Sequence, residues 1–127
     1  MRRTLALVLS AAATFAGTVS EAEAKRAPTY TERVTIMDAF NIPGRSFASR
    51  CVRILVSTVN PRYAMLTGPV RIPADCRQAG QVGDGFVFFR RSTPTALRWR
   101  NIAEGSEAAC SVPRAVRVDL FGSAACG

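Results

Sequence analysis

Five arginines are the groups in this chain best suited to chemistry: Arg53, Arg90, Arg91, Arg98 and Arg100. A guanidinium offers planar, bidentate donors that match phosphate and carboxylate. On the strands expected below, Arg98 and Arg100 share a face with Arg53 and with one of the Arg90–Arg91 pair. The result would be a cationic sheet face. Such a face suits an anionic envelope polymer, acidic lipid head groups or an acidic protein. The plain alternative is a solvated face that aids solubility and blunts edge pairing.

Other reactive groups are sparse. The chain contains no histidine, which removes Ser-His and Cys-His nucleophile pairs, His-ligated metals and an imidazole pH switch. Carboxylate catalysis needs two carboxyl groups at a defined separation. Beyond the first two dozen residues the carboxylates are Glu32, Asp38, Asp75, Asp84, Glu104, Glu107 and Asp119, and only Glu104 and Glu107 are close in sequence. Asp119 is expected to pair with an arginine rather than to catalyse. No Gly-rich phosphate loop, nucleophile elbow or metal motif occurs, so no cofactor and no metal are expected.

Gly85 to Arg91 interleaves aromatics with charge, but Asp84 stands where an RNA-reading strand has Lys or Arg before its Gly. Nucleic acid is therefore not an expected partner. The phenylalanines read as core, and Trp99 as a core plug with stacking on an arginine as the lesser alternative.

Cys51, Cys76, Cys110 and Cys126 form an even set with no C-x₂₋₄-C spacing. In a small exported domain that pattern reads as two structural disulfides rather than a metal site or a reactive thiol. Three pairings are possible. The sequential one, Cys51–Cys76 and Cys110–Cys126, agrees best with the expected strands, because a hairpin brings Cys51 near the segment leading to Cys76.

These residues need a frame, and 127 residues are enough for one domain. Met1-Arg2-Arg3, an uncharged run from Thr4 to Gly17 and the small-x-small site Ala22-Glu23-Ala24 have the layout of a secretory signal peptide. Residues 1–24 are thus expected to be removed, leaving a single domain over 25–127. That domain keeps 15 basic and 7 acidic residues, a net charge of +8, and holds no later apolar run of membrane-spanning length.

Thr29 and Glu32 have capping-box spacing ahead of a helix from about Tyr30 to Asn41. A strand over Arg33–Met37 competes, since Val, Thr and Ile are β-branched. Strands are expected over Arg50–Thr58, Arg62–Thr67, Phe86–Arg91 and Leu97–Ile102, with Gly68–Gly85 as loop and Leu97 and Trp99 on one face. Pro113 opens a last helix whose stripe is Val112, Val116 and Leu120, and Gly122 suits its stop. The simplest packing of these parts is α+β: a four-stranded antiparallel sheet with the N-terminal and C-terminal helices on one face, tied by two disulfides.

Pro28-Thr29-x-x-Glu32, Val56-Ser57-Thr58, Tyr63-Ala64, Gly83-Asp84-Gly85-Phe86 with Arg90-Arg91, Trp99, Glu104-Gly105-Ser106, Cys110, Pro113, Asp119-Leu120 and Cys126 form a pattern that resembles small exported, disulfide-containing proteins of high-GC bacteria, particularly actinobacteria. The resemblance covers most of the mature chain. It implies export and the last disulfide, and it carries over no catalytic or binding residue. One lysine against sixteen arginines is in keeping with a GC-rich genome.

The leading expectation is a small exported binding module without enzymatic activity. The alternatives are a small His-free hydrolase or lyase using carboxylates and arginine, and a secreted inhibitor or effector. Shape separates them: an enzyme should join Glu104 or Asp119 to clustered arginines in a cleft, and a binding module should present a flat basic face.

Overall fold

A computed structural model describes residues 25–126 apart from 45, 70, 79–84 and 106. The expected signal peptide and the Asp84 half of the Asp84-Gly85 turn lie outside the described residues.

The first helix, α1 (Tyr30–Phe40), begins where the capping box places it. Thr29 Oγ1 accepts from the Glu32 amide at 3.1 Å, and Glu32 Oε1 accepts from the Thr29 amide at 2.9 Å. Glu32, Ile36 and Phe40, spaced by four, fall on its buried face. The competing strand over Arg33–Met37 does not form.

Five antiparallel strands follow one another in space as they do in sequence: β1 (Lys25–Arg26), β2 (Arg53–Ser57), β3 (Tyr63–Thr67), β4 (Val87–Arg90) and β5 (Arg100–Glu104). The expected sheet had four. The added strand is β1, which sets Lys25 against Ser57 and Arg26 against Val56. Two residues are too few to show an alternation, so pairing along the edge of β2 is all that defines it. The last strand also differs from expectation, starting at Arg100 rather than Leu97. Leu97 is 66% exposed and Trp99 only 5%, so the two do not share a face. Between β4 and β5 the register shifts at Phe88/Phe89.

The helices cover opposite faces of the sheet rather than one. Ile54, Val56, Ala64, Leu66, Val87 and Phe89 pack with Ile36, Met37 and Phe40 of α1. Leu55, Met65 and Phe88 pack with Val112, Val116 and Leu120 around the last helix, α3 (Arg114–Phe121). The physical reason is written in consecutive apolar pairs. Phe88 and Phe89 point to opposite faces and both are fully buried, as are strands enclosed on both sides. A sheet with helices on one face would leave Leu55 and Phe88 in water.

Pro113 and Gly122 bound α3, and Gly122 takes φ 81°, the left-handed conformation that favours glycine at a helix end. Arg117 donates to the carbonyls of Ala109 (2.9 Å), Ala124 (2.7 Å) and Val112 (3.3 Å). One guanidinium so holds the helix, the 3₁₀ turn Ala108–Ser111 before it and the tail after it.

Both disulfides are the sequential ones, Cys51–Cys76 with Cα atoms 5.6 Å apart and Cys110–Cys126 at 5.0 Å. Cys76 lies on a short helix, α2 (Ala74–Gln78), inside the segment expected to be loop. The neighbouring residues Arg50 and Asp75 form an ion pair at 2.6 Å beside the first disulfide. Arg50 holds the Asp75 carboxyl below its ordinary value through that hydrogen bond.

Candidate functional site: an arginine groove at the β4–β5 turn

The long-range frame of the site is a buried carboxylate. Glu32 is 7% exposed and Arg91 5%. Glu32 Oε1 accepts from Arg26 Nη1 at 2.6 Å, and Oε2 accepts from Arg26 Nη2 at 2.9 Å and from Arg91 Nη2 at 2.8 Å. With the Thr29 amide, that makes four donors on one carboxylate. Its bidentate bond with Arg26, aided by the Thr29 amide and by the charge of Arg91, holds the Glu32 carboxyl down at about 2 against burial. The same bond raises Arg26.

Arg91 is committed to the protein itself. Its Nε donates to the Pro61 carbonyl at 3.0 Å and its Nη1 to that of Ala96 at 3.4 Å. Its guanidinium carbon sits 4.3 Å from the centre of the Trp99 ring, a cation–π contact. Trp99 is the core plug the sequence predicts and the stacking partner as well. Arg62 and Arg91 extend the β3–β4 ladder: the Arg91 amide donates to the Arg62 carbonyl at 2.8 Å, and Arg62 Nε donates back to the Arg91 carbonyl at 3.2 Å.

Around this anchor the chain forms a groove of about 640 Å³, lined by Arg62, Arg90, Arg91, Ser92, Arg98, Trp99 and Arg100. Arg90 and Arg100 are direct cross-strand partners on β4 and β5. Like charges directly opposite one another on a sheet repel. Both are exposed, as is Arg98, and among the described residues none of the three guanidiniums has a hydrogen-bonded or ionic partner. Among the described residues no carboxylate lines the groove.

Four of the five arginines singled out from the sequence thus come together. Arg53 does not. It pairs with Thr67, whereas Arg90 pairs with Tyr63, four residues along β3. At about 3.3 Å per residue that separates them by ~13 Å along the strand. The expected continuous cationic face is also absent because α1 and α3 occupy the sheet faces, and the charge gathers instead at the turn where the faces end. Arg62, placed by the β3–β4 ladder, is the lining residue that sequence reasoning missed. Its position at the head of the predicted strand Arg62–Thr67 was the available signal.

The carboxylates lie elsewhere. Glu104 accepts from Asn101 Nδ2 at 2.7 Å and borders a separate apolar pocket with Phe40, Phe47 and Phe86. Among the described residues Asp119 has no arginine partner, contrary to expectation. It is buried beneath α3, where Ser57 Oγ donates to Oδ2 at 2.5 Å. Its Oδ1 has no partner, and neither has Trp99 Nε1. Ser57 faces α3 because it alternates with Val56, and α3 brings Asp119 to it. Among the described residues no cluster of His, Cys, Asp and Glu could hold a metal ion, and no helix is long and apolar enough to cross a membrane.

The arrangement defines an α+β module with two disulfides and a concave site lined by guanidiniums. Comparisons with models of protein families, with characterised proteins and with solved structures give no match.

Proposed function

We propose that this chain is a small exported binding module whose arginine groove takes an anionic group of a cell-envelope partner. The observation that carries the reading is the Arg90–Arg100 pair. Two guanidiniums stand opposite each other, with no acid among the described residues to neutralise them, flanked by Arg62 and Arg98 in one groove. An anion relieves that repulsion, and guanidinium forks match its oxygens. The separation of the groove from Glu104 and Asp119 supports binding over an arginine–carboxylate hydrolase. Its concavity supports a projecting anionic group, as on an envelope polymer or a lipid head group, over a flat acidic protein surface. Export is supported by the signal-peptide layout of residues 1–24 and by two disulfides, which persist in oxidising compartments.

Titration of the mature chain with inorganic phosphate tests the reading. Binding is expected at low salt and should fall as salt rises, since exposed charges are screened over about 10 Å at 0.1 M. The R98Q/R100Q double variant should bind more weakly while folding normally, because exposed side chains without partners contribute within about 0.5 kcal/mol to stability. Absence of binding at low salt, or equal binding by both forms, would overturn the proposal.

A further inference from the structure

A second, chemically different pocket adjoins the arginine groove. Arg98 and Trp99 line both. The second pocket, about 350 Å³, adds Thr35, Asp38 and Ala39 from α1 and Leu97 from the β4–β5 connection. Asp38 is exposed and has no hydrogen-bonded or ionic partner among the described residues. Leu97 is among the most exposed large apolar side chains of the protein. The two pockets meet at Arg98 and Trp99, with guanidiniums on one side and a carboxylate beside aliphatic side chains on the other.

We propose that the ligand is a phosphorylated sugar or polyol, with its phosphate held at Arg98, the arginine that lines both pockets, and its hydroxylated part in the Asp38 pocket. This rests on the arginine groove being an anion site. Charge order supplies the argument. An ionised carboxylate is acceptor-only, so Asp38 can receive two neighbouring hydroxyl groups, a pattern a sugar or polyol offers. The C–H faces of the same group can lie against Leu97 and Ala39. Asp38 also selects against the alternatives. A chain with a negative charge in every unit would bring one of those charges against this carboxylate, which costs free energy. An alkyl phosphate would leave Asp38 unpaired beneath it. A single anion joined to a neutral polyhydroxyl group satisfies both ends.

Trp99 is the only tryptophan in the chain and lines both pockets, so its fluorescence reports on the site directly. The mature protein is titrated with inorganic phosphate, glucose 1-phosphate and glucose, and sedimented with phosphatidylinositol or phosphatidylethanol vesicles. Glucose 1-phosphate compared with phosphate, or phosphatidylinositol vesicles compared with phosphatidylethanol ones, should bind about tenfold more tightly than the partner lacking the hydroxyl groups, since a pair of hydrogen bonds to a charged acceptor is worth at least that factor. Preference for the soluble compound or for the vesicle tells a free sugar phosphate from a lipid head group, and either supports the chemistry. D38A should abolish the preference without weakening phosphate binding, and L97A should reduce it. R98Q should weaken every phosphate-bearing ligand. Equal binding of phosphate and glucose 1-phosphate, together with equal binding of the two vesicles, overturns the inference and leaves the anion site standing. A preference that survives in folded D38A overturns it as well. Loss of phosphate binding altogether would remove the anion site and this inference with it.

Discussion

Arg91 Nη2 donates a 2.8 Å hydrogen bond to Glu32 Oε2 across 59 residues of sequence. That bond fastens the start of α1 to the segment leaving β4. It fixes the wall on which the exposed arginines stand, because Arg91 also grips Pro61 and Ala96 and lies on Trp99. In the groove Arg91 is a positioning residue, and Arg90, Arg98 and Arg100 are the ones free to meet a ligand.

The first prediction concerns acid. The carboxyl of Glu32 is lowered from 4.5 to about 2, first by its hydrogen bond with Arg26. A lowered carboxylate contributes its full stabilisation above the unfolded value and loses it as pH falls through the folded one. Stability should therefore drop between about pH 4.5 and pH 2, by an amount on the order of 3 kcal/mol from this group. In E32Q that part of the drop should vanish and the protein should be less stable at pH 7, as expected when one partner of a buried pair is removed. Urea unfolding across that pH range is the measurement, and an unchanged acid limb in E32Q would contradict the assignment.

Ser57 and Asp119 form a second buried polar pair. Ser57 Oγ donates to Asp119 and accepts from the Asn60 amide at 3.0 Å. S57A strands the carboxylate and the amide together, so a loss of about 1–3 kcal/mol is expected. In S57A/D119A part of that loss should return, because no stranded carboxylate remains. Denaturant midpoints of the two variants decide it; a double variant no more stable than S57A would show that the carboxylate is not what makes the single change costly.

The disulfides should differ in access. Cys51 and Cys76 are buried, while Cys110 and Cys126 are exposed. Mild reduction followed by alkylation and peptide mapping should modify Cys110 and Cys126 first. The tail should then remain partly held, because Arg117 still bonds the Ala124 carbonyl. Each loop closure is worth about 3–4 kcal/mol in the chain-entropy account. Modification of Cys51 and Cys76 first would contradict the burial, and a Cys76–Cys110 peptide in the unreduced sample would contradict the pairing.

Processing can be checked by N-terminal sequencing of exported material, which should begin at Lys25. The structure gives that boundary a consequence. Lys25 and Arg26 are strand β1, and Arg26 is the bidentate partner of Glu32. A chain trimmed to Ala27 should lose both the edge strand and half of the acceptor bonds on Glu32, and should unfold at lower temperature. Equal thermal midpoints for the two chains would count against that role.

What the sequence determined by itself was local. The Thr29–Glu32 capping box, the Val112–Val116–Leu120 stripe and the Pro113 and Gly122 ends need only a few neighbouring residues to act, and α1 and α3 form where they place them. The sequence left three disulfide pairings open and favoured the sequential one through the expected hairpin, and the folded chain has that pairing. Tertiary structure decided whatever depends on pairing at a distance. The two-residue β1 exists only because β2 offers it an edge. The helices part to opposite faces because Leu55 and Phe88 also need cover. Leu97 and Trp99 precede β5 and do not follow strand alternation, so Trp99 turns into the core and Leu97 out of it. The arginines show the division most directly. Their number and chemistry are plain in the sequence, but strand register sets Arg90 against Arg100 and leaves Arg53 at the far end of the sheet. Burial alone separates Arg91, held by Glu32, from its neighbour Arg90.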